Sequence, residues 1–482
     1  MDDRLEDLRA KLESHGQAHL LRFRADLSEP QLESLLRDIQ QIDFDRIDPL
    51  IEQYVTTRPE SAIPGDLEPA PYFEYGGDLR EAGAAPGYDL DSYREIGEHL
   101  IGGGRVAVFT VAGGQGTRLG WNGPKGTYPA TPVTGKPLFR LFAEQILAAE
   151  KKYGVRIPWY IMTSPMNDAD TRSFFTDNNC FGLKRNQIMM FPQGVMPSFD
   201  AQTGRVLMAS KHEVAFNPDG HGGSFAALYR SGALEDMRAR GIEYISYIQV
   251  DNPLTHVVDP VFLGLHSGSP DSSSEMSSKM VVKSNPDEKV GVLCRAGGRT
   301  MVIEYSDLPE AMASERDSRG ELRYLAGSIA IHLIGVTFAE NVASAVDGGG
   351  LPWHRADKKV THVNPETGAL IEPAEPNAVK LEQFVFDALP LAKSSIVYET
   401  LREDEFAPIK NATGADSPAT SCALQSARAA AWLEQRGVSV PRGDDGALLA
   451  TIEISPLSGL RPSDLTPDHL PASVAPGANL AL

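Results

Sequence analysis

Cysteine is scarce in this sequence, which has only Cys180, Cys294 and Cys422 among its 482 residues. The three lie far apart and form no Cys-x-x-Cys pair, which argues against a disulfide framework and against a cysteine-built zinc site. A reducing compartment fits this cysteine content best, so we expect a cytoplasmic protein.

Long apolar runs are also missing. No stretch reaches the roughly 18 apolar residues that a membrane-spanning helix needs. The charged N-terminal segment, Met1–Gly16, lacks the apolar region that signal peptides contain. We therefore expect neither a signal peptide nor a membrane partner.

Basic side chains are in deficit, with 45 Lys and Arg against 65 Asp and Glu and a formal net charge of −20. Proteins that bind nucleic acid nonspecifically neutralise its phosphates with a basic surface. We therefore expect no nucleic-acid partner, and any phosphate ligand must be held by a local cluster of donors.

The chain is long enough for two or three domains of roughly 100–200 residues each. Leucines at helical spacing predict helices in residues 1–54, and Ser28–Gln31 is a capping-box sequence. Residues 55–92 are rich in proline and glycine and predict a connector. The polar segment Gly268–Ser278 predicts a mobile loop.

From residue 104 onwards, short apolar runs alternate with helical stretches such as Leu138–Ala149. This alternation predicts an α/β fold with a largely parallel sheet. The apolar runs that suggest strands are Val106–Val111, Ile157–Met162, Tyr244–Val250, Met280–Val282, Val290–Cys294, Met301–Ile303 and Ile329–Ile334.

A glycine-rich loop follows the first of these runs, with the sequence AGGQGTRLG from Ala112 to Gly120 and then Pro124-Lys125-Gly126. Glycine permits positive φ angles and close approach to a ligand, and successive backbone N–H groups can surround an anion. Arg118 adds a forked phosphate donor and Lys125 a point charge. The alternative is a purely structural turn, but these two cations favour a phosphate-binding loop.

Two familiar nucleotide motifs fit this loop poorly. The Walker pattern GxxxxGK[ST] is absent, and the dinucleotide pattern GxGxxG fails because Gly120 is the fourth residue after Gly116. No acidic residue follows at the distance that ribose binding would require. A nicotinamide oxidoreductase therefore stays a weak alternative that shares only the strand and its glycine loop.

The stretch AGGQGTRLG…PKG resembles the signature of the eukaryotic-type UDP-sugar pyrophosphorylases, and most closely that of the UDP-N-acetylhexosamine pyrophosphorylases. The resemblance extends in order from about residue 10 to about residue 435. Further similar stretches are Pro158–Ser164, Phe191–Gly194, Pro218–Gly223, Val250–Asn252, Val290–Val292, Ile303–Ser306, Lys380–Asp387 and Leu401–Asn411.

This resemblance implies a Mg²⁺-dependent enzyme of nucleotide-sugar biosynthesis that converts UTP and a sugar 1-phosphate to a UDP-sugar and pyrophosphate. It implies a central nucleotidyltransferase α/β domain, Rossmann-like with a mixed and mostly parallel sheet. We expect an N-terminal helical domain at residues 1–99, the catalytic domain at 100–400 and a C-terminal domain at 401–482.

The resemblance also implies roles for individual residues. Arg118, Lys125 and Lys410 would be catalytic. The nucleotide would contact Val111, Ala112, Gly113, Gly114, Gln193, Gly220 and His221. The sugar would contact Gly222, Gly291, Glu304, Tyr305, Ser328, Phe384 and Phe386. The two phenylalanines would share one face if the chain is extended there, although plain core packing is an alternative.

A metal ligand is indicated by position as well. Asp251 ends the apolar run Tyr244–Val250, and α/β folds bind ligands at the carboxyl ends of their strands. Mg²⁺ prefers one or two carboxylates together with phosphate oxygens. We therefore predict that Asp251 is a Mg²⁺ ligand, with no second protein ligand identified.

Two positions depart from the acetylhexosamine pattern. His221 replaces an asparagine, as in the UDP-glucose pyrophosphorylases, and Ser328 replaces another. Both changes fall on the sugar side. N-acetylglucosamine 1-phosphate is the expected acceptor, while glucose 1-phosphate and N-acetylgalactosamine 1-phosphate stay open. A non-catalytic nucleotide-sugar binder is a further alternative, which the retention of Arg118, Lys125 and Asp251 disfavours.

Overall fold

A computed structural model describes residues 2–58, 63–75, 79–80, 89–345 and 350–482. Part of the predicted connector 55–92 therefore lies outside the described residues. The described part of it holds short strands and the start of a helix rather than featureless chain.

The helices are α1 Asp2–Ser14, α2 Glu29–Gln40, α3 Phe44–Leu50, α4 Leu90–Gly102, α5 Leu138–Tyr153, α6 Asp168–Asp177, α7 Ser224–Arg230, α8 Ala233–Ala239, α9 Pro260–Gly268, α10 Glu310–Ala313, α11 Val336–Ser344, α12 Arg402–Glu405 and α13 Pro418–Gln435. Short 3₁₀ turns connect many of them.

The strands are β1 Glu68–Pro69, β2 Tyr72–Phe73, β3 Leu79–Arg80, β4 Val106–Val111, β5 Trp159–Thr163, β6 Ile188–Pro192, β7 Val195–Pro197, β8 Phe199–Asp200, β9 Met208–Ser210, β10 Glu213–Val214, β11 Phe216–Pro218, β12 Tyr244–Gln249, β13 Met276–Val282, β14 Val292–Ala296, β15 Arg299–Ile303, β16 Ala326–Gly335, β17 His354–Lys358, β18 His362–Val363, β19 Leu370–Ile371, β20 Ala378–Glu382, β21 Val397–Glu399, β22 Thr451–Glu453 and β23 Asn479–Ala481.

Contacts divide the chain into two compact units. The smaller unit combines Met1–Ala62, Gln193–Ala226 and Ser344–Asp387, and the larger unit contains Ile63–Pro192, Ala227–Ala343 and Ala388–Leu482. The division into segments 1–99, 100–400 and 401–482 stays a prediction.

The smaller unit contains the N-terminal helices that the leucine spacing predicts. The capping box is present, because the backbone N–H of Ser28 donates to Gln31 Oε1 at 3.0 Å. α2 buries Leu35 and Ile39, which share a core with Phe199 of β8. This unit contains the three-stranded sheet β17–β20–β8 and the two-stranded sheets β7–β11, β9–β10 and β18–β19.

The larger unit is built on a mixed sheet with the strand order β3–β2–β21–β13–β16–β12–β4–β5–β6. Parallel pairings join β12 to β4, β4 to β5, β5 to β6, β13 to β21 and β2 to β21, whereas β16 runs antiparallel to β12 and β13. All six residues of β4 are buried, as a continuous apolar run predicts for a parallel strand covered on both faces. The predicted α/β fold with a mixed, mostly parallel sheet is confirmed.

The predicted loop Gly268–Ser278 is wrong at both ends. Gly268 ends α9, and β13 begins at Met276 inside the sheet. The polar composition of the segment suggested exposure to solvent. Two of its serines, Ser277 and Ser278, are buried in the sheet instead, because buried histidines hydrogen-bond their hydroxyl groups. Ser277 Oγ lies 2.7 Å from His266 Nδ1, and Ser278 Oγ lies 2.8 Å from His332 Nδ1.

The last part of the chain, also in the larger unit, packs α13 against the β22–β23 pair around its own apolar cluster. Glu453 of β22 accepts hydrogen bonds from the backbone N–H groups of Val133 and Thr134 at 3.0 and 2.8 Å. Burial alone would raise the pKa of Glu453, but the hydrogen bonds from Thr134 and Val133 outweigh it and hold the pKa below its usual value. Within the described ranges, no helix combines the length and apolar character needed to cross a membrane.

The Glu453 contact generates a stability prediction. Glu453→Gln should lower the free energy of unfolding near neutral pH by about 1–3 kcal/mol, because an amide offers one acceptor oxygen instead of two. The pKa of Glu453 is depressed in the folded state. The extra stability of the native protein over Glu453→Gln is therefore fully present above the unfolded-state pKa of about 4.3. It is lost as the pH falls through the folded-state value.

Urea unfolding at a series of pH values measures the effect. The difference in free energy of unfolding between the native protein and Glu453→Gln should become smaller as the pH is lowered. The control Glu235→Gln, at an exposed position of α8, should show little gap at any pH. A Glu453→Gln gap that stays constant across the series would contradict the assigned role.

Candidate active site

The glycine-rich loop and Asp251 leave the sheet at the same edge. β4 and β12 are parallel neighbours in a register that pairs Val111 with Gln249, so both chains exit at their carboxyl ends. Lys125 Nζ lies 3.2 Å from Asp251 Oδ2, and the two side chains are only 15% and 20% exposed. The predicted phosphate lysine and the predicted metal carboxylate are therefore brought together.

The glycines of this loop serve more than the predicted backbone freedom. Positive φ angles occur at Gly120 and Gly123, but not at Gly114 or Gly116. Gly116 is required by close packing, since a Cβ there would lie 2.7 Å from the Cβ of Trp121. The same holds for Gly126, where a Cβ would lie 2.2 Å from the buried ring of Phe139. Tight packing against aromatic rings therefore shapes much of the loop.

Asn167 is a residue of this region that the sequence analysis missed. Its side chain is fully buried, and Nδ2 donates to the carbonyl oxygens of Ala112 and Gly114 at 3.0 and 3.2 Å. It follows β5, the parallel neighbour of β4, so its place at the same sheet edge is the signal that could have found it. Asn167 fixes the start of the glycine-rich loop.

The other predicted phosphate ligands differ in their surroundings. Arg118 lies on the 3₁₀ turn Thr117–Leu119 with an exposed side chain. Within the part of the chain that the structure describes, no carboxylate lies within ion-pair distance of the Arg118 guanidinium. Lys410 follows Ile409, whose backbone N–H donates to the carbonyl oxygen of Asp251 at 2.9 Å.

Three predicted sugar residues of the larger unit come together. The backbone N–H of Ser328 donates to the carbonyl oxygen of Gly291 at 2.8 Å. A Cβ on Gly291 would lie 2.6 Å from Val302 Cγ1 and 3.1 Å from Glu304 Oε1, so a side chain at position 291 would crowd the carboxylate of Glu304. Tyr305, the next residue, is 46% exposed.

Ser328 precedes an irregularity in β16. Ala330 has a φ of 55°, in the left-handed region, and the pairing of β16 with β13 shifts register between Ser278 and Met280. An alanine in this conformation costs about 1–2 kcal/mol. Bulges of this kind redirect side chains beside functional sites.

The smaller unit carries the remaining predicted residues. Gly220 and Gly222 allow the chain around Gln383 to approach, because a Cβ on either glycine would lie within 2.4–2.6 Å of Gln383 backbone atoms. The backbone N–H of Gly222 donates to the carbonyl oxygen of Gln383 at 2.8 Å. Gln193 follows β6 and is 8% exposed.

The chain at Phe384 and Phe386 is not extended, so the condition under which their spacing would place them on one face of a strand is not met. A 3₁₀ helix begins at Val385, and the two rings lie 5.1 Å apart between centroids. The ring of His221 stacks on Phe384 at 5.3 Å, and His354 stacks on Phe384 at 4.3 Å.

His221 has a defined protonation state in this stack. The backbone N–H of Val385 donates to His221 Nδ1 at 3.1 Å, so the neutral ring carries its proton on Nε2. Burial, together with the nearby His354, lowers the pKa of His221 to about 4. His221 is therefore a neutral hydrogen-bond donor at Nε2 near pH 7.

A second group of candidate metal ligands does not include Asp251. Among the described residues, potential ligand atoms of His256, Asp259 and Glu405 lie within 4.8 Å of one another. The ammonium group of Lys279, which is 1% exposed, lies 2.6 Å from Asp259 and also bonds Glu405. Burial alone would raise the pKa of Asp259, but Lys279 outweighs it and holds the pKa below its usual value. A cation already balances these carboxylates, so the group fits a buried salt bridge better than a metal site.

Comparisons with known proteins identify the group to which this arrangement belongs. The profile of a family described as UTP–glucose-1-phosphate uridylyltransferase matches residues 86–429. UDP-N-acetylhexosamine pyrophosphorylase-like protein 1 of Xenopus tropicalis is 37% identical over 447 residues, which is 89% of this chain and 84% of that protein. UDP-N-acetylglucosamine pyrophosphorylase of Saccharomyces cerevisiae is 34% identical over 443 residues, covering 89% of this chain and 91% of that protein.

A solved structure of the uridine diphosphate N-acetylglucosamine pyrophosphorylase from Trypanosoma brucei, in complex with an inhibitor, has a TM-score of 0.80 at 26% identity. The match covers 100% of this chain and 98% of the Trypanosoma brucei chain. The class that these matches define is that of the nucleotidyltransferases. Within that class, the chain belongs to the UTP–glucose-1-phosphate uridylyltransferase family, and the predicted family and enzyme class are confirmed.

Proposed function

We propose that this chain transfers the uridylyl group of UTP to N-acetylglucosamine 1-phosphate, forming a UDP-sugar and pyrophosphate. The names of the relatives support the uridylyl transfer and the acetylated acceptor. The observation that carries the proposal is the Lys125–Asp251 contact at the end of two parallel strands, directly after a glycine-rich loop.

The reaction needs no protein nucleophile. A phosphate oxygen of the sugar 1-phosphate forms a bond to the α-phosphorus of UTP, while the bond from that phosphorus to the leaving pyrophosphate breaks in line. Catalysis then consists of positioning and charge neutralisation. Arg118 and Lys125 would neutralise the triphosphate and the departing pyrophosphate, and Lys410 would approach the phosphates from the C-terminal part of the chain.

Asp251 offers a half-buried carboxylate, the kind of hard oxygen ligand that Mg²⁺ accepts alongside phosphate oxygens. When bound, the ion would neutralise phosphate charge. On binding of the metal-loaded triphosphate, Lys125 would exchange its carboxylate partner for a phosphate oxygen. Lys125 would then be neutralised by the phosphate and Asp251 by the metal ion, so neither charge would be left unpaired.

The remaining residues would recognise the two ends of the substrate. The uracil would lie against Gly113 and Gly114 at the end of β4, with the carboxamide of Gln193 both donating and accepting. His221 would donate from Nε2 to the nucleotide. Glu304 would accept hydrogen bonds from sugar hydroxyl groups beside Gly291.

Glucose 1-phosphate is the second candidate acceptor. It is supported by the two sugar-side positions at which this chain departs from the acetylhexosamine pattern, His221 and Ser328. Serine has no carboxamide to contact an N-acetyl group. A cytoplasmic location stays a prediction that depends on the cysteine content.

Pyrophosphate release from UTP with N-acetylglucosamine, N-acetylgalactosamine and glucose 1-phosphates tests the proposed reaction. We expect turnover with N-acetylglucosamine 1-phosphate, and faster turnover with glucose 1-phosphate would support the second candidate instead. Binding of UDP-sugars without turnover of any acceptor would show a non-catalytic binder and end the proposal.

Lys125→Ala should lower kcat by about 100-fold, because one cation is removed from the departing pyrophosphate. The melting temperature should change little, since the pair with Asp251 is partly solvated. Lys136→Ala is the matched control, because Lys136 pairs with Glu144 at 2.7 Å and is 14% exposed, close to the 15% of Lys125. The control should lose stability, because its partner Glu144 is only 4% exposed and would lose the cation bound to one of its carboxylate oxygens, but it should keep kcat. Equal kcat losses in both variants would remove the special role of Lys125.

Ser328→Asn should raise the ratio of kcat/KM for N-acetylglucosamine 1-phosphate over glucose 1-phosphate by about tenfold, as one added hydrogen bond permits. Ser318→Asn, at an exposed loop position of the same unit, should leave the ratio unchanged. An unchanged ratio in Ser328→Asn would mean that this position does not contact the acetyl group.

A further inference from the structure

The segment that carries Lys410 is joined to the end of β12 by a series of hydrogen bonds. Ile409 N–H donates to the carbonyl oxygen of Asp251 at 2.9 Å. Asn252, the next residue after Asp251, is only 4% exposed. Its Nδ2 donates to the carbonyl oxygen of Glu405 at 2.7 Å, and its Oδ1 accepts from the N–H of Ala407 at 3.0 Å. One side chain therefore binds a carbonyl oxygen and an N–H group at the two ends of the three-residue stretch from Glu405 to Ala407.

Residues outside β12 also bind the stretch from Asp404 to Ala407. The carboxylate of Glu405 is bound to the buried Lys279. Ser421 Oγ of α13 donates to the carbonyl oxygen of Ala407 at 2.7 Å. Arg428 of the same helix donates to the carbonyl oxygens of both Leu254 and Asp404, each at 3.0 Å. The segment before Lys410 is thus held at its first residues, and the Asn252 side chain joins it to the strand end that bears Asp251, beside the Ile409–Asp251 hydrogen bond.

We propose that Asn252 is a positioning residue that holds Lys410 in register with Asp251 for the transfer step. This inference rests on the proposed function, because Lys410 is a phosphate ligand only there. Asn252 has no role in substrate contact: both ends of its carboxamide are occupied by the backbone of residues 405 and 407. Its effect on the reaction passes through the backbone to Ile409 and then to Lys410.

A double-mutant cycle separates this role from a merely structural one. Asn252→Ala should lower kcat/KM for UTP by roughly 10- to 100-fold, the range expected when a reacting group is displaced by about 1 Å. In a Lys410→Ala background, the same substitution should cost less than about twofold, because the group that it positions is gone. Losses that multiply in the double variant would overturn the proposal.

Asn377→Ala is the matched control. Asn377 makes the same pair of contacts in the smaller unit, accepting from the N–H of Val360 at 2.8 Å and donating to its carbonyl oxygen at 3.1 Å. The control should lower the melting temperature and leave kcat/KM within about twofold of the native value. If Asn252→Ala does not fold, Asn252→Ser replaces it, because the shorter side chain keeps a polar group at this position but lacks the carboxamide that binds both Glu405 and Ala407.

Hydrogen exchange provides a readout that does not depend on turnover. The amide of Ile409 should lose protection in Asn252→Ala and keep it in Asn377→Ala. Unchanged protection of Ile409 in Asn252→Ala would refute the link even if activity falls. Lost protection together with absence of turnover in the native protein would instead reject the proposed function, and with it the assignment of Asn252 to the transfer step.

Discussion

The contact between Lys125 and Asp251 is the interaction on which the account of this site depends. It exists because β4 and β12 are parallel neighbours, which forces the glycine-rich loop and the residue after β12 to emerge at one edge of the sheet. The pair is half-buried. Solvent therefore screens the two charges only in part, while both side chains can still exchange partners. A triphosphate with its metal can take over both partners without leaving an isolated charge, in a protein whose overall charge of −20 would otherwise repel it.

The end of the chain in the larger unit supports this edge of the sheet at two places. Residues 405–409 bond to Asp251 and Asn252, as described above. Gln425 of α13 donates to the carbonyl oxygen of Ala130 at 2.8 Å, close to where Glu453 binds the turn at Val133 and Thr134. That turn lies shortly after Lys125 in sequence. The C-terminal residues therefore bind the backbone beside Asp251 and a turn that follows Lys125 in sequence.

Much of this arrangement could be predicted from the sequence, because the relevant signals are local. The apolar run Val106–Val111 coincides with β4, and the position of Asp251 after an apolar run led to the correct sheet edge. Signals that depend on tertiary partners failed. The serines of β13 suggested a loop because they are polar, and the sequence does not show the buried histidines that bind their hydroxyl groups. The two-residue spacing of Phe384 and Phe386 likewise gave no sign of the 3₁₀ helix that begins at Val385. Asn167 and Asn252 were missed because only their positions after predicted strands mark them in the sequence, while the backbone groups that they bind are distant in the chain.

The fate of the α-phosphorus is the most direct test of the central claim that this sheet edge transfers uridylyl groups. UTP labelled with ³²P at the α-position should pass its label to the UDP-sugar when N-acetylglucosamine 1-phosphate and Mg²⁺ are present. Folded Lys125→Ala protein at the same concentration should transfer it far more slowly. Label that stays in UTP with the native protein and every sugar 1-phosphate, or equal transfer by the native protein and Lys125→Ala, would contradict the account.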